Sequence, residues 1–205
     1  MYQVLSWIRV GIATGCAACD DVAVPEVPPI PTPRFALVSM SLPFMRALLD
    51  HDDAAAEAEI GVPVPPGLAD DLDGFLQYRI ADLTVDPEAQ PWLGRAVVLD
   101  GDDGPRIIGT VGFHSPPDAD GRVEVGYRVD EAYRRTGVAS EVVRALFDWA
   151  AREHGVTRFR ASISPDNVAS LAIASRFGFR HVGEQIDDVD GLELVFELDG
   201  WTATT

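Results

Sequence analysis

The sequence predicts an α/β (α+β) domain in which helices pack on a mixed, mostly antiparallel sheet. Apolar and polar residues alternate from Arg122 to Asp130, which puts Val123, Val125, Tyr127 and Val129 on one face and Arg122, Glu124 and Arg128 on the other. The period then switches to 3.6, so that Val142, Val143, Leu146, Phe147, Trp149 and Ala150 form one apolar stripe between Gly137 and Gly155. Beyond residue 90 the order is three strands, helix, strand, helix and two strands, a succession that layers helices on a sheet.

Residues 21–33 carry five prolines and neither period, the mark of an extended, solvated stretch. Residues 1–33 therefore read as a flexible N-terminal extension outside the core, with a proline-rich docking segment as one use for it, and residues 34–205 as the folded domain. Arg34 to Ser41 reads as a strand, and Pro43 to Asp53 as a helix that Ser41 can cap. Residues 50–90 hold eleven acidic side chains and a single arginine, with helical spacing in Leu72, Phe75 and Leu76. Trp92 to Leu99 and Arg106 to Phe113 form a hairpin across Asp100-Gly101-Asp102-Asp103-Gly104, and the loop Ser115 to Gly121 leads to the alternating strand. After the long helix come a strand at Val156 to Ile163, a helix at Asn167 to Phe177, and strands at Phe179 to Ile186 and Leu192 to Leu198.

With 205 residues, 47% of them apolar, the chain is long enough for one domain with a proper core. Thirty-three acidic against sixteen basic residues, all of the latter arginine, give a net charge of −17. That balance argues against a nucleic-acid partner, and any bound polyanion needs a local device. Cys16 and Cys19 are too few for a disulfide framework or a self-sufficient metal site, so no metal is expected. The apolar start is interrupted by Arg9 with no basic residue before it, and no run of eighteen apolar residues exists. A cytoplasmic chain without a membrane span is expected.

The sharpest local signal is Arg134-Arg135-Thr136-Gly137-Val138-Ala139, between the alternating strand and the long helix. A glycine-containing turn that opens a helix leaves several N–H groups pointing at one spot, where the helix dipole adds about half a positive charge. Such a turn can cradle a pyrophosphate, with Arg134 and Arg135 at the rim, although the same pattern also occurs as a plain helix start.

The string Arg134-x-x-Gly137-x-Ala139 with its helix resembles the acetyl-CoA pyrophosphate loop of the GNAT family of N-acetyltransferases. Asn167-x-x-Ser170 and Arg176-Phe177-Gly178-Phe179 are similar to that family's second cofactor segment. Gly112-Phe113-His114 and Val123-Glu124-Val125-Gly126-Tyr127 resemble the RimJ/RimL-type branch, whose members acetylate protein N-terminal amines. The resemblance implies a V-shaped splay between two central parallel strands, here Val123 to Val129 and Val156 to Ile163. It implies direct attack of a primary amine, on a protein N-terminus or a small molecule, on the thioester of acetyl-CoA. Pantetheine would lie along the first strand near a bulge at Gly126 to Val129, which marks Tyr127 and Val129 as cofactor contacts beside Arg134, Arg135, Thr136, Gly137, Val138, Ala139 and Asn167.

Two proton transfers are then needed. Glu124 lies opposite the apolar valines and matches the family's proposed base; the competing reading is a surface partner for Arg122 or Arg128. The family's usual helix tyrosine is replaced by Ala174, which leaves Ser170 as substitute acid and also motivates the alternative of a catalytically silent acyl-CoA-binding or interaction module. Asn167 is expected on pantetheine or as a helix cap. His114 can serve as an alternative base, a substrate contact or a strand terminus. Composition leaves monomer and homodimer equally open.

Overall fold

A computed structural model describes residues 27–187 and 191–204; Cys16, Cys19 and most of the expected extension lie outside the described residues. The strands are β1 (Ile30–Pro31), β2 (Phe35–Ser39), β3 (Arg95–Gly101), β4 (Gly104–Phe113), β5 (Arg122–Val129), β6 (Arg158–Ile163), β7 (Arg180–Asp187) and β8 (Gly191–Asp199). The helices are α1 (Leu42–Leu49), α2 (Asp53–Ile60), α3 (Leu68–Val85), α4 (Val138–His154) and α5 (Val168–Phe177). The strands form one eight-stranded sheet in the order β1-β2-β3-β4-β5-β6-β8-β7. Every neighbouring pair is antiparallel except β5 with β6, where α4 supplies the crossover that a parallel pair requires.

The sheet carries a core on each face. On one, Phe44, Leu48, Leu72, Phe75 and Leu76 of α1 and α3 pack on Ala96, Val98 and Ile107 of β3 and β4. On the other, the α4 stripe of Val142, Val143, Leu146, Phe147 and Ala150 packs on Val97, Ile108, Val111, Val123, Val125 and Phe159. Phe147 is fully buried; its ring stacks 3.8 Å from that of Phe159 and meets Phe177 and Trp201 edge-on. The far end of the sheet carries an arginine–carboxylate lattice. Asp199 receives Arg122, Arg158 and Arg180, and Glu197 receives Arg122 and Arg160.

Two expectations need correcting. The described part of the 1–33 extension is not outside the core: β1 pairs with β2, and Ile30 is buried in the α4-side core. Proline is tolerated there because β1 is an edge strand whose free side needs no donor. The fully buried Arg95 adds a tether, its guanidinium donating to the carbonyls of Pro28, Leu37 and Pro91; burial pushes its pKa down to about 10. The expected bulge at Gly126 to Val129 is also absent. The β4–β5 ladder runs in unbroken register from Gly109 opposite Val129 to Phe113 opposite Val125.

Phe147→Ala removes the ring on which five other aromatics converge. It is expected to lower unfolding free energy by about 3–5 kcal/mol in a urea titration, the usual range for truncating a buried phenylalanine.

Candidate active site

The site begins where the parallel pairing ends. β5 and β6 are bonded at Arg122 opposite Arg158, Val123 opposite Phe159 and Glu124 opposite Arg160, and no further. Beyond that point β5 stays with β4 as far as Val129 and β6 stays with β8 as far as Ile163, so a wedge opens between them. Its two unpaired inner edges can accept an extended ligand as an added strand.

Glu124 stands at the apex. Its carboxylate lies 3.9 Å from Nδ1 of His114, and both side chains remain about one-fifth exposed. The backbones are fixed as well, since the His114 amide donates to the Glu124 carbonyl at 2.8 Å. From the α3 side, Nη1 of Arg79 donates to the His114 carbonyl at 2.7 Å and to Asp82 at 2.8 Å. Burial pushes the Arg79 guanidinium down and the Asp82 carboxyl up, each against the pull of the other, so the pair costs desolvation to hold this corner. Arg160 across the last ladder step is raised first by its bond to Glu197, with burial opposing and Glu124 contributing.

Strand alternation puts the next polar group on the opposite face. Tyr127 packs against the α4-side core, with the Ser170 hydroxyl of α5 near enough to act on its phenol. Burial raises the Tyr127 pKa and the nearby Ser170 hydroxyl only partly opposes this, so the phenol stays neutral at ordinary pH. Ser170 is buried, and its amide donates at 3.0 Å to Oδ1 of Asn167. The Asn167 oxygen is thus used as the cap of α5, which leaves its Nδ2 as the donor it can offer a ligand. The family tyrosine position, Ala174, is buried in the core.

The other end of the wedge is the start of α4. Arg135 and Gly137 both take left-handed backbone, at φ 62° and 86°, a turn in which glycine is unstrained. α1, α2 and α5 have their first amides capped by Ser41, Asp52 and Asn167, but α4, like α3, starts at a left-handed glycine with no side-chain cap. Its first-turn N–H groups therefore present donors to an anion. Val138 and Val129 bury their side chains in the core, so each can offer only backbone; the Val129 carbonyl already accepts from Nε of Arg134 at 2.9 Å. Thr136 Oγ1 donates to the Tyr133 carbonyl, and Ala139 packs against the core.

Several residues at this site are absent from the sequence-based set. Arg34 and Thr32 bind Glu141 in the first turn of α4, and neither type nor spacing links positions so far apart. Arg79 had a readable signal: it is the one basic residue of the acidic 50–90 stretch, and it falls on the same helical stripe as Leu72, Phe75 and Leu76. Among the described residues there is no cluster of ligands for a metal, and no helix long and apolar enough to cross a membrane.

Residues 46–180 match the Acetyltransferase (GNAT) domain family. An uncharacterized N-acetyltransferase of Bacillus subtilis, YjdG, is 32% identical over 77 residues, 38% of this chain and 46% of that protein. An L-2,4-diaminobutyric acid acetyltransferase of Streptomyces coelicolor is 38% identical over 86 residues, covering 42% of this chain and 49% of that protein. The chain thus spans about half the length of the curated relatives it matches. The crystal structure of a ribosomal-protein-S5-alanine acetyltransferase from Vibrio fischeri shares the fold at TM-score 0.58 and 16% identity, over 86% of this chain and 99% of that one. The match over most of the domain shows that the chain belongs to the GNAT acetyltransferase family.

Proposed function

We propose that the chain transfers an acetyl group from acetyl-CoA to a primary amine. The observation that carries this reading is the wedge itself: it runs from the uncapped start of α4 to a carboxylate at its apex, with Tyr127 and Ser170 on the other side. Acetyl-CoA fits the residues present. The amides of Gly137, Val138 and Ala139 offer a cradle for its diphosphate, and the free edges of β5 and β6 suit its extended pantetheine arm. Bound there, it supplies an activated thioester.

The protein then has two tasks. Glu124 receives a proton from the incoming ammonium at its carboxylate, directly or through water, with His114 beside it to relay or orient. At neutral pH, freeing the amine costs about 1 kcal/mol for an α-amine and about 4 to 5 for a lysine, given pKa values near 8 and 10.4. On the opposite face Ser170 offers its Oγ hydrogen to the sulfur as it departs, and the neutral Tyr127 phenol orients that hydroxyl. Entry of the amine and exit of the sulfur on opposite faces follows from the odd–even separation of Glu124 and Tyr127 along β5. A hydroxyl pair at the sulfur end favours a working enzyme over a silent CoA-binding module, because it supplies the donor that Ala174 withholds.

The acceptor is a primary amine borne on a protein N-terminus or a small molecule, and a panel containing both classes separates them. Glu124→Gln is expected to lower kcat by about 10²–10⁴-fold while CoA affinity, read by calorimetry, stays within about twofold; equal turnover by variant and wild type would remove Glu124 from the role. With acceptors compared at fixed acetyl-CoA, kcat/KM for an α-amine should rise with pH and level off near about 8, whereas a lysine-type amine should keep rising toward about 10. Identical pH profiles for the two would show that amine deprotonation is not part of the measured step.

A further inference from the structure

The turn between β1 and β2 closes on the phosphate-binding end of the wedge. Thr32 Oγ1 donates to Oε1 of Glu141 at 2.7 Å, the Arg34 amide donates to the same oxygen at 3.0 Å, and Arg34 Nε donates to Oε2 at 2.7 Å. Nη1 of Arg34 donates at 3.2 Å to the carbonyl of Thr136, the residue before Gly137. Nη2 has no partner among the described residues, and it lies 3.5 Å from the point a Cβ on Gly137 would occupy. Burial works against the Glu141 charge, but the donors from Thr32 and Arg34 outweigh it and hold the carboxyl below the usual glutamate range. The guanidinium is therefore fixed by an ionised partner, half exposed, with one edge toward the mouth of the turn. Its residue lies outside the stretch that matches the family.

We infer that Arg34 is a further phosphate-binding residue of this site, donating from Nη2 to the diphosphate of the acyl donor seated on the α4 amides. The inference rests on the acetyl-CoA reading above. It gives the strongly acidic chain a fixed cation at the place where an anion must dock, one whose free Nη2 is held in place by the bonds of Nε and Nη1 where an ammonium would be mobile. It also assigns the Thr32–Arg34 turn a part in donor binding rather than in the sheet edge alone.

The test compares Arg34→Gln and Arg34→Lys with the wild type in the full chain. CoA affinity is measured by calorimetry, and kcat/KM is measured with acetyl-CoA and with acetyl-pantetheine, which lacks the diphosphate. Arg34→Gln should weaken CoA about tenfold or more, as expected for loss of a charge-assisted hydrogen bond, and lower the acetyl-CoA to acetyl-pantetheine kcat/KM ratio by the same factor. Arg34→Lys, which keeps the charge and loses the held Nη2 donor, should fall between. Unchanged CoA affinity in Arg34→Gln, or an equal fall with both donors, would overturn the assignment while leaving acetyl transfer intact. A wild type that fails to bind CoA at all would overturn both. If Arg34→Gln does not fold, the lysine variant decides alone: a ratio equal to wild type contradicts the inference.

Discussion

Three residue pairs join β5 to β6, the last of them Glu124 with Arg160, and the place where that pairing stops fixes the rest of the site. Had the ladder continued, Tyr127 would flank a closed sheet and there would be no edge for a ligand to join. Because it stops, the side chains on either side of the last pair reach different faces of one opening: Glu124 with His114 on one, Tyr127 with Ser170 on the other. The termination is held from both flanks. β4 keeps β5 in unbroken register, and β8 keeps β6 through six pairs. Buried Arg79 then fixes the corner at His114 from the opposite layer.

Charge sets the second constraint. A surface at −17 repels a polyanion overall, so binding has to come from groups whose field is short-ranged and fixed. Backbone amides at an uncapped helix start meet that need without adding net charge. The arginines mostly do not, since Arg122, Arg158, Arg160 and Arg180 are spent on Glu197 and Asp199, and Arg128 on Asp71 and Asp130. Arg34 keeps Nη2 beside the turn it braces.

Local pattern made much of this legible. The alternation in β5, the α4 stripe bounded by two left-handed glycines, and the Ser41 and Asn167 caps all stand where periodicity and capping chemistry put them. What failed was non-local. α2 is built of alanine and glutamate with only Ala56 and Ile60 buried, so it has almost no apolar stripe to read. Ile30 sits among prolines, and only a neighbouring strand and the carbonyl-seeking Arg95 turn that segment into an edge of the sheet. Trp92 lies in a 3-10 turn rather than in β3, because Pro87 opens that turn and Pro91 stands just before Trp92, both favouring a tight helical turn. The Glu124–His114 neighbourhood followed from two adjacent strands, but the Thr32–Arg34–Glu141 cluster joins chain ends that no short-range rule connects.

The central claim is that the β5–β6 wedge and the start of α4 form one ligand site. Hydrogen exchange with and without saturating CoA tests it most directly, because exposed edge amides and uncapped helix amides exchange freely until a ligand covers them. The account predicts new protection at Val125 to Val129 together with Gly137 to Ala139, and little change in α1 to α3. Protection confined to other elements, or none despite CoA occupancy, would contradict it.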